Sequence, residues 1–146
     1  MTWLLDVNVL ISLIDPTHVL HDAAHQWFST IAGTSWATCP MTENAVMRIV
    51  GHPKYPNSAG SPATVAPIVI GLRGLAGHVF WADDLSLAAS EHVDPSAIET
   101  PGQVTDTYLL ALAVSKAGRL ATFDRRLSVR AVRGGRGALH VIEGTA

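Results

Sequence analysis

Five short apolar runs alternate along this chain with stretches whose apolar residues recur at helical spacing, and few architectures accept that order. The runs are Trp3-Leu4-Leu5, Ser35 to Cys39, His78 to Trp81, Arg119 to Phe123 and Leu139 to Ile142. Each has the length of a strand and is too short for a helix that must bury a face. Between them, Val7 to Ile14 predicts a short helix stopped by Asp15-Pro16. From Asp22, residues Ala24, Trp27, Phe28 and Ile31 fall at i, i+3, i+4 and i+7, with Gly33 as terminator. Thr42 is placed to cap a helix that carries Glu43 in its first turn and Val46, Ile49 and Val50 as its apolar stripe. Val65, Ile68, Val69, Leu72 and Leu75 mark another helix, closed by Gly77. Asp83 to Ala89 predicts a short helix, and Val104 to Ala117 a long, nearly all-apolar one. Gly51 to Pro62, rich in Pro, Gly, Ser and Asn, reads as a surface loop. Strand and helix alternate throughout, which predicts βαβ units, a mostly parallel sheet and the α/β class.

A parallel sheet is covered on both faces and needs much apolar sequence. The chain supplies it, with 48% hydrophobic and only 15% charged residues in 146. That length predicts a single domain, 1–146, and with this apolar content it excludes a disordered or disulfide-stapled chain. The longest uncharged stretches, Ala23 to Thr42 and Tyr55 to Leu72, are broken by Gly, Pro, Ser, Thr, Asn, Gln or His, so no membrane span is expected. Met1-Thr-Trp-Leu-Leu-Asp6 lacks the basic region of a secretory signal. One cysteine, Cys39, suits a reducing, cytoplasmic setting, and without a Cys-His motif it reads as a small core residue.

The net charge of −2 argues against a generally basic nucleic-acid binder, but the distribution is uneven. Seven of ten basic residues lie between Lys116 and Arg136, where Asp124 is the only acid. Arg125, Arg126, Arg130 and Arg133 are therefore candidate phosphate contacts, and the alternative is a solvated basic face.

In open α/β sheets, ligands bind beyond the carboxyl ends of the strands. Four acids occupy such places: Asp6 after strand one, Glu43 opening the helix after strand two, Asp106 opening the long apolar helix, and Asp124 after strand four. Singly, each has a structural explanation as an N-cap or a first-turn acid. Together they gather four negative charges on one sheet edge with no basic residue interleaved, and their repulsion calls for a cation. Oxygen donors without cysteine, and with no histidine required, select Mg2+ or Mn2+ over Zn2+. Such ions suit phosphodiester hydrolysis.

These residues carry a family resemblance. Leu4-Leu-Asp-Val-Asn-Val-Leu10, the isolated Glu43, Val104-Thr-Asp-Thr-Tyr-Leu-Leu-Ala-Leu-Ala113 and Leu120-Ala-Thr-Phe-Asp124 resemble, in order, the four acidic motifs of PIN domains. Length and final strand resemble the VapC toxins of bacterial toxin–antitoxin pairs. The resemblance implies a three-layer α/β/α fold with a five-stranded parallel sheet and an endoribonuclease dependent on Mg2+ or Mn2+. It makes Asp6, Glu43, Asp106 and Asp124 the metal-site acids, with Asn8 and Thr122 supporting them or orienting substrate. It also implies an RNA substrate, a cognate antitoxin, a homodimer, and products with 5′-phosphate and 3′-hydroxyl ends.

Two rivals are weighed. An aspartyl-phosphate phosphatase needs a second Asp two residues after the first, where this chain has Asn8. A non-catalytic PIN-fold module binding RNA or protein would not need all four acids. Other features are structural readings: His21 and His25, spaced i, i+4, lack the Glu of a zinc motif. Arg133-Gly-Gly-Arg-Gly137 reads as a flexible turn, and Trp3, Trp27, Trp36 and Trp81 as core.

Overall fold

The computed structural model describes residues 1–144. Chain order is β1 (Thr2–Leu5), α1 (Val7–Ile14), α2 (His21–Thr30), β2 (Ser35–Thr38), α3 (Pro40–Val50), α4 (Pro62–Arg73), β3 (His78–Phe80), α5 (Gln103–Ser115), β4 (Arg119–Thr122), α6 (Gly135–Ala138) and β5 (Leu139–Val141). The sheet runs β3-β2-β1-β4-β5 and every adjacent pair is parallel, the architecture expected from the alternation.

Period-two side chains build two cores. In β1, Leu5 faces one core and Leu4 the other; in β4, Ala121 and Leu120 divide in the same way. The Leu5 side is covered by α1 to α4 through Val9, Leu10, Val46, Val50, Val65 and Val69. The Leu4 side is covered by α5, which buries Leu109, Leu110 and Leu112 completely, and by Ala138 of α6. An almost uniformly apolar helix is stable here because it packs between the sheet and the segments around Val93, Leu127 and Val132. All four tryptophans pack into these cores. Cys39 is fully buried, and that burial pushes its thiol up to about 11, so it is no nucleophile.

The strand order reverses at the middle of the sheet. The chain steps outward from β1 to β2 and β3, then crosses back to β4 on the other side of β1. The carboxyl ends of β1 and β4 therefore flank a topological switch point, where two connections diverge and leave a crevice. Gly118 permits β4 to start beside β1, since a Cβ there would collide with the Thr2 carbonyl oxygen.

Several local expectations are corrected. Asp83 to Ala89 is extended chain and turn, with no helix. Asp83 accepts the Met41 backbone N–H at 2.9 Å while Leu85 and Leu87 pack into the core, and these tertiary contacts outweigh a weak helical preference. Thr42 is not the cap of α3: the helix starts earlier, at Pro40 after Cys39. Thr42 bonds back to the Cys39 backbone instead, accepting from N–H and donating to C=O. The glycine-rich Arg133 to Gly137 segment is a tight turn that enters α6, with Gly134 at φ 76° and Gly135 buried. His21 and His25 donate to the Ser12 and Leu13 carbonyls at the end of α1, both at 2.8 Å, and so bind α2 to α1.

Candidate active site

The Leu5–Ala121 register makes Asp6 and Thr122 neighbours just past the paired strands. Asp6 caps α1, with Oδ1 accepting from the Val7 N–H at 2.7 Å. Its Oδ2 accepts from the Thr122 hydroxyl at 2.7 Å and has a longer 3.5 Å contact to Asn8 Nδ2. The Thr122 hydroxyl in turn accepts from Asn8 Nδ2 at 3.1 Å and from the Asp124 N–H at 3.0 Å. Asn8 Oδ1 closes the circuit by accepting from the Phe123 N–H at 3.1 Å. Asn8 and Thr122 thus lock the two strand ends and aim both aspartates.

An open cleft of about 390 Å³ lies over these ends, lined by Asp6, Asn8, His18, Tyr55, Asp106 and Asp124 among others. Asp106 enters it from the first turn of α5. Burial pushes the Asp106 carboxyl up to about 6, and the charges of Asp6 and Asp124 push in the same direction. Burial also raises Asp6, against the hydrogen bonds from Thr122 and Val7, with the Asp124 charge adding to the rise. Among the described residues, none of these three acids has an ion-pair partner. Three partly desolvated carboxylates sharing one cleft is a costly arrangement that a hard cation relieves. As placed, no three His, Cys, Asp or Glu side chains among the described residues form a group that could hold a metal ion.

The fourth acid stands apart. Glu43 does not line this cleft. It accepts from the Thr38 hydroxyl at 2.6 Å and pairs with Arg73 at 3.2 and 3.3 Å. His78 Nε2 lies 2.7 Å from the same Thr38 hydroxyl, whose proton goes to Glu43, so the ring donates. Arg73 also lies over the Phe80 ring, 4.6 Å from its centre. The candidate arginines divide too. Arg130 pairs with Glu99 at 2.7 Å and Arg133 donates to the Glu91 and Val93 carbonyls. Arg125 and Arg126 are exposed, directly follow Asp124, and have no ion pair among the described residues.

No protein-family model matches the chain. Among curated proteins, it is 42% identical over 138 residues to ribonuclease VapC44 of Mycobacterium tuberculosis (strain H37Rv), covering 92% of this chain and 94% of that protein. It is 42% identical over 134 residues to ribonuclease VapC39 of the same strain, covering 92% and 96%. Ribonuclease VapC38 is 41% identical over 121 residues, covering 83% and 84%. The chain belongs to the VapC family of PIN-domain ribonucleases.

In this VapC-family chain, sequence reasoning missed one part of the cleft. Asp15, buried at the end of α1, accepts from Thr17 N–H and Oγ1 at 3.0 and 2.9 Å, from Asn57 Nδ2 at 2.8 Å, and from the Tyr55 hydroxyl. Burial opposes ionisation, yet these hydrogen bonds, Tyr55 foremost, hold the Asp15 carboxyl well below its ordinary range. The supposed surface loop is therefore pinned against the cleft. The only sequence signal is a lone acid at a helix stop with Tyr and Asn in the loop beyond. Tyr55→Phe is expected to cost about 1–2 kcal/mol and to open residues 52–60 to limited proteolysis at neutral pH. Because the native carboxyl is depressed, the clamp is fully present above about pH 4 and weakens as the pH falls below that. Equal proteolysis of both proteins at pH 7 would overturn the assignment.

Thr122→Val keeps the shape and removes the hydroxyl, leaving Asp6, Asn8 and the Asp124 N–H each short of a partner. We expect a stability loss of about 1–3 kcal/mol and a cleavage rate lowered about 10- to 100-fold, with Thr122→Ser restoring most of both. Thermal melting and cleavage assays read the two effects separately.

Proposed function

We propose that this chain is a metal-dependent endoribonuclease that hydrolyses RNA phosphodiester bonds with Mg2+ or Mn2+, acting as the toxin of a toxin–antitoxin pair. The observation that carries it is the cleft at the sheet's switch point, which Asp6, Asp106 and Asp124 line, with no ion-pair partner for any of them among the described residues. The ribonuclease names of the relatives support the RNA substrate. Their VapC names support a cognate antitoxin and a cytoplasmic setting; among the described residues, no helix is long and apolar enough to cross a membrane. A homodimer is part of the same proposal.

Asp6, Asp106 and Asp124 would hold the ion, since hard oxygen donors in this number fit Mg2+ or Mn2+. When bound, such an ion neutralises the carboxylates, lowers the pKa of water and stabilises charge on phosphate oxygens. The chain's own contribution is positioning. Thr122 and Val7 fix both oxygens of Asp6, while the Asp124 N–H is held by Thr122 and its Oδ1 accepts from the Arg126 N–H at 2.8 Å. Glu43 can join as a fourth acid only when its pair with Arg73 opens. Water adds across the bond, its hydroxyl going to phosphorus and its proton to the departing 3′ oxygen.

The test is incubation of total cellular RNA with the purified, partner-free chain in Mn2+ and in chelator, with mapping of new 5′ ends. Cuts at a few sites in metal alone are expected. Intact RNA from a folded chain that still binds it would replace this reading with a non-catalytic binding module.

A further inference from the structure

An anionic RNA strand must find hydrogen-bond donors in a cleft dominated by acids, and most polar side chains lining it are already committed. Asn8 gives its amide to Thr122 and Asp6, and the Tyr55 hydroxyl donates to Asp15. His18 differs. It lines the same cleft as Asp6, Asp106 and Asp124. Its Nδ1 accepts from the Leu20 backbone N–H at 3.0 Å. A ring nitrogen that accepts has no proton of its own, so the neutral imidazole carries its hydrogen on Nε2. The Ser12 hydroxyl, 3.3 Å from that Nδ1, gives its proton to the Asn8 carbonyl at 2.6 Å and leaves the tautomer unchanged.

Among the described residues, Nε2 has no hydrogen-bond partner. It is not a buried orphan either, since Tyr108 Oη is the only buried side-chain atom left unpaired there. The backbone that carries the ring is also held, because the His18 N–H donates to the Asp15 carbonyl and the His18 carbonyl accepts from the His21 N–H, both at 3.0 Å. A nitrogen bearing hydrogen cannot coordinate a cation, so His18 is no metal ligand in this state. It is a fixed donor on the rim of an acid cleft, and it lacks an acceptor.

We propose that His18 Nε2–H is a contact to the RNA backbone, donating to a phosphate oxygen of the strand bound over Asp6, Asp106 and Asp124. This rests on the endoribonuclease reading for its ligand. Arg125 and Arg126 can attract the strand at long range from exposed positions, whereas His18 fixes where one phosphate sits.

The experiment measures binding without cutting. In an Asp106→Asn background, the affinity for a short fluorescein-labelled single-stranded RNA in Mg2+ is read by anisotropy for His18 and for His18→Gln, His18→Asn and His18→Ala. Gln places an N–H near the position of Nε2, and Asn places an acceptor near that of Nδ1. The expected result is that Gln keeps affinity within about threefold while Asn and Ala lose about tenfold, the worth of one good hydrogen bond. Asn binding as well as His18 while Gln weakens would overturn the proposal, because the ring would then serve only to hold the Leu20 turn. A Gln loss as large as that of Ala, or equal affinity in all four proteins, would overturn it as well. Thermal midpoints of each variant identify any that fail to fold. Failure of the endoribonuclease reading shows separately, as intact RNA with the Asp106 protein in Mn2+.

Discussion

Asp106→Asn is expected to lower RNA cleavage by about 10³-fold or more while leaving the folded protein at least as stable as before. Asn has nearly the same shape, so the first turn of α5 and the packing beneath it persist. What disappears is one of three carboxylates around which the proposed chemistry is built. The stability half of the expectation follows from the direction in which Asp106 titrates. A carboxylate in a helix's first turn gains a few tenths of a kcal/mol from the helix dipole. Burial and the charges of Asp6 and Asp124 outweigh that gain, since the carboxyl is pushed up to about 6 from an ordinary 3.8. The native protein therefore binds this proton more tightly than the unfolded chain does. In chelator, stability should fall as pH rises from about 4 to about 6, and the Asn variant should lose most of that slope. Because Asp106 is only half-buried, solvent screening limits the gain at neutral pH to the order of 1 kcal/mol. Melting curves at pH 5 and 7.5 beside a cleavage assay measure both halves. A variant that unfolds would make Asp106 a structural residue, and cleavage that survives would remove it from the chemistry.

Trp36→Ala is expected to cost about 3–5 kcal/mol, the range for deleting a buried aromatic. Trp36 is 1% exposed, the largest of the fully buried side chains, and lies edge-on to Phe28 and His78 with ring centres 5.3 and 4.8 Å away. Its indole N–H donates to the Ala76 carbonyl at 3.0 Å, so truncation leaves a cavity and an unpaired carbonyl beside β3. For a chain of this length, about 2–4 °C per kcal/mol predicts a melting point lower by about 10 °C or more. Trp27, half-buried and packed edge-on to Trp3, should cost clearly less when replaced by Ala. Cleavage per folded molecule should survive both changes, because neither ring lines the acid cleft. A Trp36→Ala protein that melts normally but binds RNA poorly would mean that the ring stacks on bases instead.

How much of this was legible in the chain depends on the range of each interaction. Alternation of apolar runs and the period-two split of Leu4 from Leu5 are local patterns, and they determine a parallel sheet with two cores whatever the distant partners are. The same local logic places Asp6, Glu43, Asp106 and Asp124 at strand exits and helix starts. The family resemblance singled out Asn8 and Thr122 beside the acids, and the register of β1 against β4 joins them. Asp83 to Ala89 failed as a helix because its residues satisfy contacts elsewhere in the fold, which no window of its own sequence reveals.

By itself, then, the sequence determined the class of fold and the strand ends and helix starts at which the four candidate acids stand. Tertiary structure alone decided which of those acids are unpaired. Glu43 meets an arginine thirty residues away, so its charge is neutralised, while Asp6, Asp106 and Asp124 are drawn into one cleft with no such partner. It likewise brought Tyr55 onto Asp15 across forty residues and fixed the proton of His18 through the Leu20 turn. Periodicity reports which face a residue occupies, but the partner of a charge or a ring nitrogen is set by packing, and electrostatics at a few ångströms then decides what that group can do.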